Sequence, residues 1–277
     1  MIRAIIFDLD DTLYLEGDYV RSGFQAVAQW LASRNLRRDG RSPKWVLMDC
    51  EWELWNESKD DPDHVFERYA LKWHARNPGT TMLPEEIAGT MLQIYRSHQP
   101  EIQVCSDALK VLPQLSRDMQ LAILSDGDPE RQQRKLQALN IAHLFRKVIF
   151  TGSNPAWAKP SPEGFQVLVE ALDCRPQECI YVADNPAKDF AGPKELGMRT
   201  LRIRRPGSLH ETREPEPGQE SEATLTSMLG LPDIVHEMNI GLRSPARHLG
   251  TRCGIESRSS HVRILGLTEL APAGKSR

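Results

Sequence analysis

Four short apolar runs at 121–124, 148–150, 180–183 and 200–203 alternate with segments that carry helix start signals. Asp128-Pro129 precedes a helical pattern over 130–139, Ser161-Pro162 one over 163–172, and Pro186 one over 187–197. Parallel neighbours need long crossover connections, and helical crossovers cover both faces of the sheet they join. The expected fold class is therefore α/β, a Rossmann-like parallel sheet with helices on both faces. Sites in such sheets lie outside the carboxyl ends of the strands.

A fifth run, 4–7, ends abruptly in acid: Ile5-Ile6-Phe7-Asp8-Leu9-Asp10-Asp11-Thr12-Leu13. Two carboxylates about 4 Å apart repel by roughly 4 kcal/mol at an effective dielectric near 20. A divalent cation with hard oxygen ligands offsets such repulsion. An acidic turn in which Asp11 or Thr12 caps the next element is the alternative. Three more polar clusters follow the other strands. Ser125-Asp126-Gly127 offers a hydroxyl and a loosened backbone whose amides suit phosphate oxygens. Lys159 stands before Pro160, and Asp184 and Asp189 lie at a strand tip and on the helix after it. Each cluster has a plain counterpart reading as a helix cap or a solvated side chain.

Between the first and second strands lie about ninety residues without a strand-like run, holding helical patterns at 19–34, 43–58, 62–77 and 84–99. Val20, Phe24, Val27 and Leu31 form one apolar stripe; Trp45, Met48, Trp52 and Trp55 form another, expected to pack in a helical core. The expected organisation is a discontinuous core of 1–14 and 104–240, a four-helix cap of 15–103 able to close over the strand ends, and a basic, disordered tail of 241–277. Within the tail, 262–267 could form a stray strand. An exposed acidic loop is expected after Arg204-Arg205-Pro206-Gly207, with a short edge strand near 223–227.

A net charge of -3 gives no global attraction to nucleic acid or to an acidic membrane surface. No signal-peptide core opens the chain and no stretch approaches a membrane span, so a cytoplasmic protein is expected. The five cysteines are odd in number and scattered, which fits reduced thiols.

In order and placement the four polar clusters resemble those of the haloacid dehalogenase superfamily: Asp-x-Asp-x-Thr, then a Ser or Thr, then a Lys, then an acid pair. The resemblance spans roughly 1–204, including the helical insertion. It implies a phosphatase in which Asp8 attacks phosphorus to form an aspartyl-phosphate, and Asp10 protonates the leaving oxygen and then activates water. It further implies Mg²⁺ held by Asp8, by Asp10 through its carbonyl, and by Asp184. Ser125, Asp126, Gly127 and Lys159 would bind phosphate, and Asp189 would orient the metal's waters or Lys159. The dehalogenases that resemble this fold lack an acid at the position of Asp10, because halide needs no proton. One departure is Ala183, where the family usually has Gly.

The expected substrate is a small phosphorylated metabolite of the nucleotide, flavin mononucleotide or sugar phosphate class. A phosphomutase similar to β-phosphoglucomutase and a non-catalytic binding module are the alternatives. Tyr14, Glu16, Tyr19 and Arg21 follow the acidic loop, and Arg21 is the best placed of them for a second anionic group, although helix-surface roles suit each.

Overall fold

The structure, a computed structural model, describes residues 1–33, 43–60, 64–77 and 79–241. Six strands, β1 (Ala4–Phe7), β2 (Gln120–Ser125), β3 (Lys147–Phe150), β4 (Cys179–Ala183), β5 (Arg199–Ile203) and β6 (Ala223–Leu225), form one sheet in the order β3-β2-β1-β4-β5-β6. Every pairing is parallel. The expected α/β class is what forms, with β6 as the short edge strand. The chain winds from β1 through β2 to β3, then crosses back to place β4 on the other side of β1. The order reverses between β1 and β4, and a crevice opens at their carboxyl ends.

Side chains alternate across these strands, and both faces are dry. Ile5, Phe7, Ile123, Ile180 and Val182 face one layer, which includes Leu112 and Leu115 of α5 (Ser106–Asp118) and Leu136 and Leu139 of α6 (Pro129–Leu139). Ala4, Ile6, Ala122, Leu124 and Tyr181 face the other, which includes Phe165 and Leu168 of α7 (Glu163–Ala171). Burial on both sides explains the continuous apolar runs.

Among the described residues, α1 (Glu16–Ser33), α2 (Pro43–Asp60), α3 (Val65–Arg76) and α4 (Pro84–Ser97) lie between β1 and α5. They share a separate core containing Phe24, Val27, Leu31, Leu54, Phe66, Trp73 and Met91. The tryptophan stripe is corrected in part: Trp55 packs against this core as expected. Met48 and Trp52 are 47% and 65% exposed, while Cys50 and Leu54 point inward. Apolar residues occupy several faces of α2, so helical spacing alone allows either stripe. The side chain of Trp45 lies outside the described residues, as do the tail 242–277 and its stray strand.

The single helix expected over 187–197 is two, α8 (Pro186–Asp189) and α9 (Ala191–Glu195). Pro193 has no N–H for the carbonyl of Asp189, and its ring crowds that carbonyl, so a continuous helix cannot pass. The segment after β5 also differs from a plain exposed loop. Arg205 is buried: its Nε donates to the Thr12 carbonyl at 2.8 Å, and its Nη1 forks onto Asp107 at 2.8 and 3.0 Å. Asp107 also accepts from the Met228 N–H and the Ser227 hydroxyl. A further length of α10 (Leu231–Gly241) closes the described chain, and no helix among the described residues is long and apolar enough to cross a membrane.

Candidate active site

Adjacent strand ends deliver Asp8 and Asp184. The last ladder bond between β1 and β4 runs from the Asp8 N–H to the Val182 carbonyl, 2.9 Å. Carboxylate oxygens of Asp8, Asp184 and Asp189 all come within 4.8 Å of one another, and all three residues are buried. Asp189 belongs to the group because Asn185 caps the short α8, and the Asn185 N–H donates to Asp189 Oδ2 at 2.9 Å.

Lys159 touches this acid directly, and the charge of Lys188 also acts on Asp8. Lys159 Nζ lies 2.9 Å from Asp8 Oδ2 and 2.7 Å from Asp189 Oδ1, and donates to the Tyr181 hydroxyl at 3.0 Å. Its side chain is wholly buried. The loop carrying it is set from both sides. Asp126 Oδ1 accepts the Lys159 N–H at 3.2 Å and the Thr151 hydroxyl at 2.8 Å, and Gly192 lets α9 approach so closely that a Cβ there would stand 2.5 Å from the Pro160 carbonyl oxygen.

Only Asp8 and Asp189 pair directly with Lys159, and the Asp184 carboxylate has no cation in direct contact among the described residues. Burial pushes the Asp8 carboxyl up to about 6 against the pull of Lys159. Burial, with Asp8 and Asp189 adding to it, pushes Asp184 up to about 9. Asp184 Oδ2 is buried without a hydrogen-bond partner among the described residues. A buried carboxylate oxygen left without a donor, beside two further carboxylates, fits a hard divalent cation.

This environment predicts a sign that stability measurements can check. A carboxyl whose pKa rises on folding costs no stability below its unfolded value of 3.8, and costs progressively more as pH climbs towards the folded value of about 9. Without metal, Asp184→Asn should therefore unfold at higher temperature than the wild type at pH 8, with the gap closing near pH 4. Thermal melts in EDTA across that range read it; a gap independent of pH would refute the account.

Asp10 sits apart from the three clustered carboxylates. Its Oδ1 accepts Lys135 Nζ at 2.6 Å and the Tyr14 hydroxyl, and its Oδ2 accepts Gln132 Nε2 at 2.7 Å. Burial works upward on its pKa, but the charge and hydrogen bond of Lys135, with those of Tyr14 and Gln132, outweigh it and hold the carboxyl below its ordinary value. Gln132 Nε2 also donates to Ser125 Oγ at 2.6 Å, tying the end of β2 to Asp10. Gly127 has φ +118°, a conformation that suits glycine. The Asp126 side chain is taken up by Thr151, the Lys159 N–H and Lys188 Nζ at 3.0 Å.

Asp11, in the left-handed region at φ 51°, fastens the loop: its oxygens accept the Glu16 and Leu209 N–H groups, each at 2.8 Å. Gln132, Lys135 and Tyr181 escaped the reading of the sequence. Gln132, Lys135, Leu136 and Leu139 share one buried helical stripe, and two polar members on such a stripe are the signal that could have revealed them. Tyr14 and Tyr19 are buried rather than on a helix surface. Lys135 Nζ lies 4.2 Å from the centre of the Tyr19 ring. Arg21 is elsewhere, paired with Asp18 and over Trp55.

A parallel sheet with a buried acid cluster at its switch point defines a class of hydrolase. The profile of the haloacid dehalogenase-like hydrolases matches residues 2–197, and the chain belongs to that family. It is 27% identical over 207 residues to the glyceraldehyde 3-phosphate phosphatase of Methanopyrus kandleri, covering 74% of this chain and 85% of the relative. Identity to the N-acylneuraminate-9-phosphatase of Mus musculus is 23% over 257 residues, covering 86% and 95%. The fold resembles that of a haloacid dehalogenase-family hydrolase from Deinococcus radiodurans crystallised with phosphate and sodium, with a TM-score of 0.57 at 19% identity over 88% of this chain and 99% of that one.

Proposed function

We propose that the protein is a Mg²⁺-dependent phosphatase of a small phosphorylated metabolite, working through an aspartyl-phosphate on Asp8. The observation that carries the reading is the convergence of the buried carboxylates of Asp8, Asp184 and Asp189, two of them paired with buried Lys159, with Asp184 Oδ2 unpartnered among the described residues. Asp8 and Asp184, with the Asp10 carbonyl, would hold the ion, and Asp189 would steady Lys159 beside it. Bound there, Mg²⁺ offsets the repulsion between an attacking carboxylate and a phosphate dianion.

The chain's own groups divide the remaining work. An Asp8 oxygen attacks phosphorus as the ester oxygen departs, and the acyl phosphate so formed is cleaved by water in a second step. Lys159, the Ser125 hydroxyl and the backbone of Asp126 and Gly127 take up phosphoryl charge. Asp10 gives its proton to the departing oxygen and recovers one from the attacking water. Its resting contacts suit the second role, because Lys135 and Tyr14 hold it ionised. The first role requires substrate to displace a donor from Oδ1 and the carboxyl to enter the cycle protonated. Residues 15–103 act as a helical cap on a core of 1–14 and 104–240; Tyr19 already brings α1 against the Asp10 group through Lys135.

Hydrolysis of p-nitrophenyl phosphate tests the reading. Turnover should appear with Mg²⁺, vanish in EDTA and return on restoring the ion; equal rates in EDTA would rule it out.

A further inference from the structure

A cleft of about 550 Å³ opens between α4 and the start of α6. Arg96, Ser97, Asp128, Glu130, Arg131 and Arg134 are among the residues that line it. We propose that its three arginines bind a second anionic group of the substrate, a carboxylate or a phosphate, and so select phosphate esters that carry one. The inference rests on the phosphatase reading and names the substrate class for that same site.

Three observations support it. The first is unspent charge. Arg96, Arg131 and Arg134 make no ion pair among the described residues, although ion pairs are formed elsewhere by Arg3, Arg76, Arg175, Arg199, Arg204 and Arg205. Arg134 instead donates Nη2 to the backbone carbonyl of Arg96, which draws two like-charged residues to one place. Of the two acids at the cleft, Asp128 is committed to capping α6, its Oδ1 accepting the Arg131 N–H at 2.9 Å, and Glu130 is exposed.

The second is position. Arg131 and Arg134 each precede by one residue the two α6 side chains, Gln132 and Lys135, that hold Asp10 and Ser125. Successive helical residues are about 100° apart around the axis, so α6 turns one side to the reacting phosphate and the adjacent side to the cleft. Tyr19 joins the two sides: its ring lies over Lys135, and the charges of Arg131 and Arg134 reach its hydroxyl. On this placement, a group a few bonds from the phosphoryl centre would enter the cleft without a second molecule.

The third is chemistry. Guanidinium groups present planar forks that match carboxylate and phosphate oxygens. Arg96 belongs to the inserted helices and the other two to α6, so an anion between them would bridge both parts around the substrate.

Matched esters test this with Mg²⁺ present. Phosphoserine is compared with phosphoethanolamine and 3-phosphoglycerate with glycerol 3-phosphate for a carboxylate, and fructose 1,6-bisphosphate with fructose 6-phosphate for a phosphate. The wild type should favour the more anionic member of at least one pair by about tenfold or more in kcat/KM, chiefly through KM. The pair that shows it identifies the anion. In the double variant Arg131→Ala/Arg134→Ala the ratio should fall to about twofold or less, and Arg131→Lys/Arg134→Lys should restore part of it. No preference in any pair, or one that survives the alanine variant, overturns the inference while p-nitrophenyl phosphate turnover leaves the phosphatase reading standing. Absence of all turnover overturns both.

Discussion

Asp8→Asn should lower kcat on p-nitrophenyl phosphate by about 10⁴-fold or more, the scale seen when the nucleophile of a covalent mechanism is removed. An amide has no negative oxygen with which to attack phosphorus, and no neighbouring group can substitute for it. Asp184 and Asp189 occupy other corners of the cluster, and Asp189 has both oxygens engaged by Lys159, Tyr181 and the Asn185 N–H. Loss of folding is separable from loss of chemistry. The substitution removes a buried carboxylate whose burial outweighs the pull of Lys159, so melting in EDTA should stay level or rise. Residual turnover within tenfold of the wild type, in a variant that melts normally, would mean that Asp8 is not the nucleophile.

Lys159→Met carries the second large effect, this time on both stability and rate. Removing one partner of a buried ion pair typically costs about 3–5 kcal/mol, because the remaining charge keeps its burial penalty without its attraction. Here two carboxylates, Asp8 and Asp189, lose the same ammonium. Their retreat is protonation, which moves the Asp8 carboxyl further above about 6 and removes its attacking oxygen at neutral pH. Urea unfolding in EDTA should show the loss, and saturating Mg²⁺ should recover about 2–3 kcal/mol of it through binding to the folded state alone. Catalysis should still fall by about 10²- to 10³-fold, since phosphoryl charge loses a preorganised donor. A change in unfolding free energy below about 1 kcal/mol would show that Lys159 does not neutralise the cluster.

The sheet was legible because each strand ends where its chemistry begins. Residues 4–7, 121–124, 148–150 and 180–183 carry no charged side chain, which suits a buried sheet, whereas 200–203 holds Thr200 and Arg202 beside Leu201 and Ile203. The polar groups at their ends are short-range features, and their order along the chain carried the family resemblance. What stayed hidden depends on tertiary placement. The break between α8 and α9 was written in Pro193, but helical periodicity on both sides obscured it. The outward turn of Met48 and Trp52 could not be read from spacing, because α2 offers apolar residues on more than one face. Nothing in the sequence singled out Lys135, whose side chain lies against the Tyr19 ring and Asp10. Arg205 stands at the start of the segment expected to be an exposed loop, yet Asp107, almost a hundred residues earlier, holds it in the interior.

The fastening of the Asp8 loop has a consequence for how the enzyme comes into being. Arg205 grips the carbonyl of Thr12, and Asp11 grips the N–H of Leu209, across sequence separations of 193 and 198 residues. Both anchors lie beyond residue 197, where the match to the family profile stops. A growing chain can therefore lay down β1 through β5 before either of these two anchors of the Asp8 loop exists. A product truncated just after β5 would lack both of these anchors, as well as the edge strand β6.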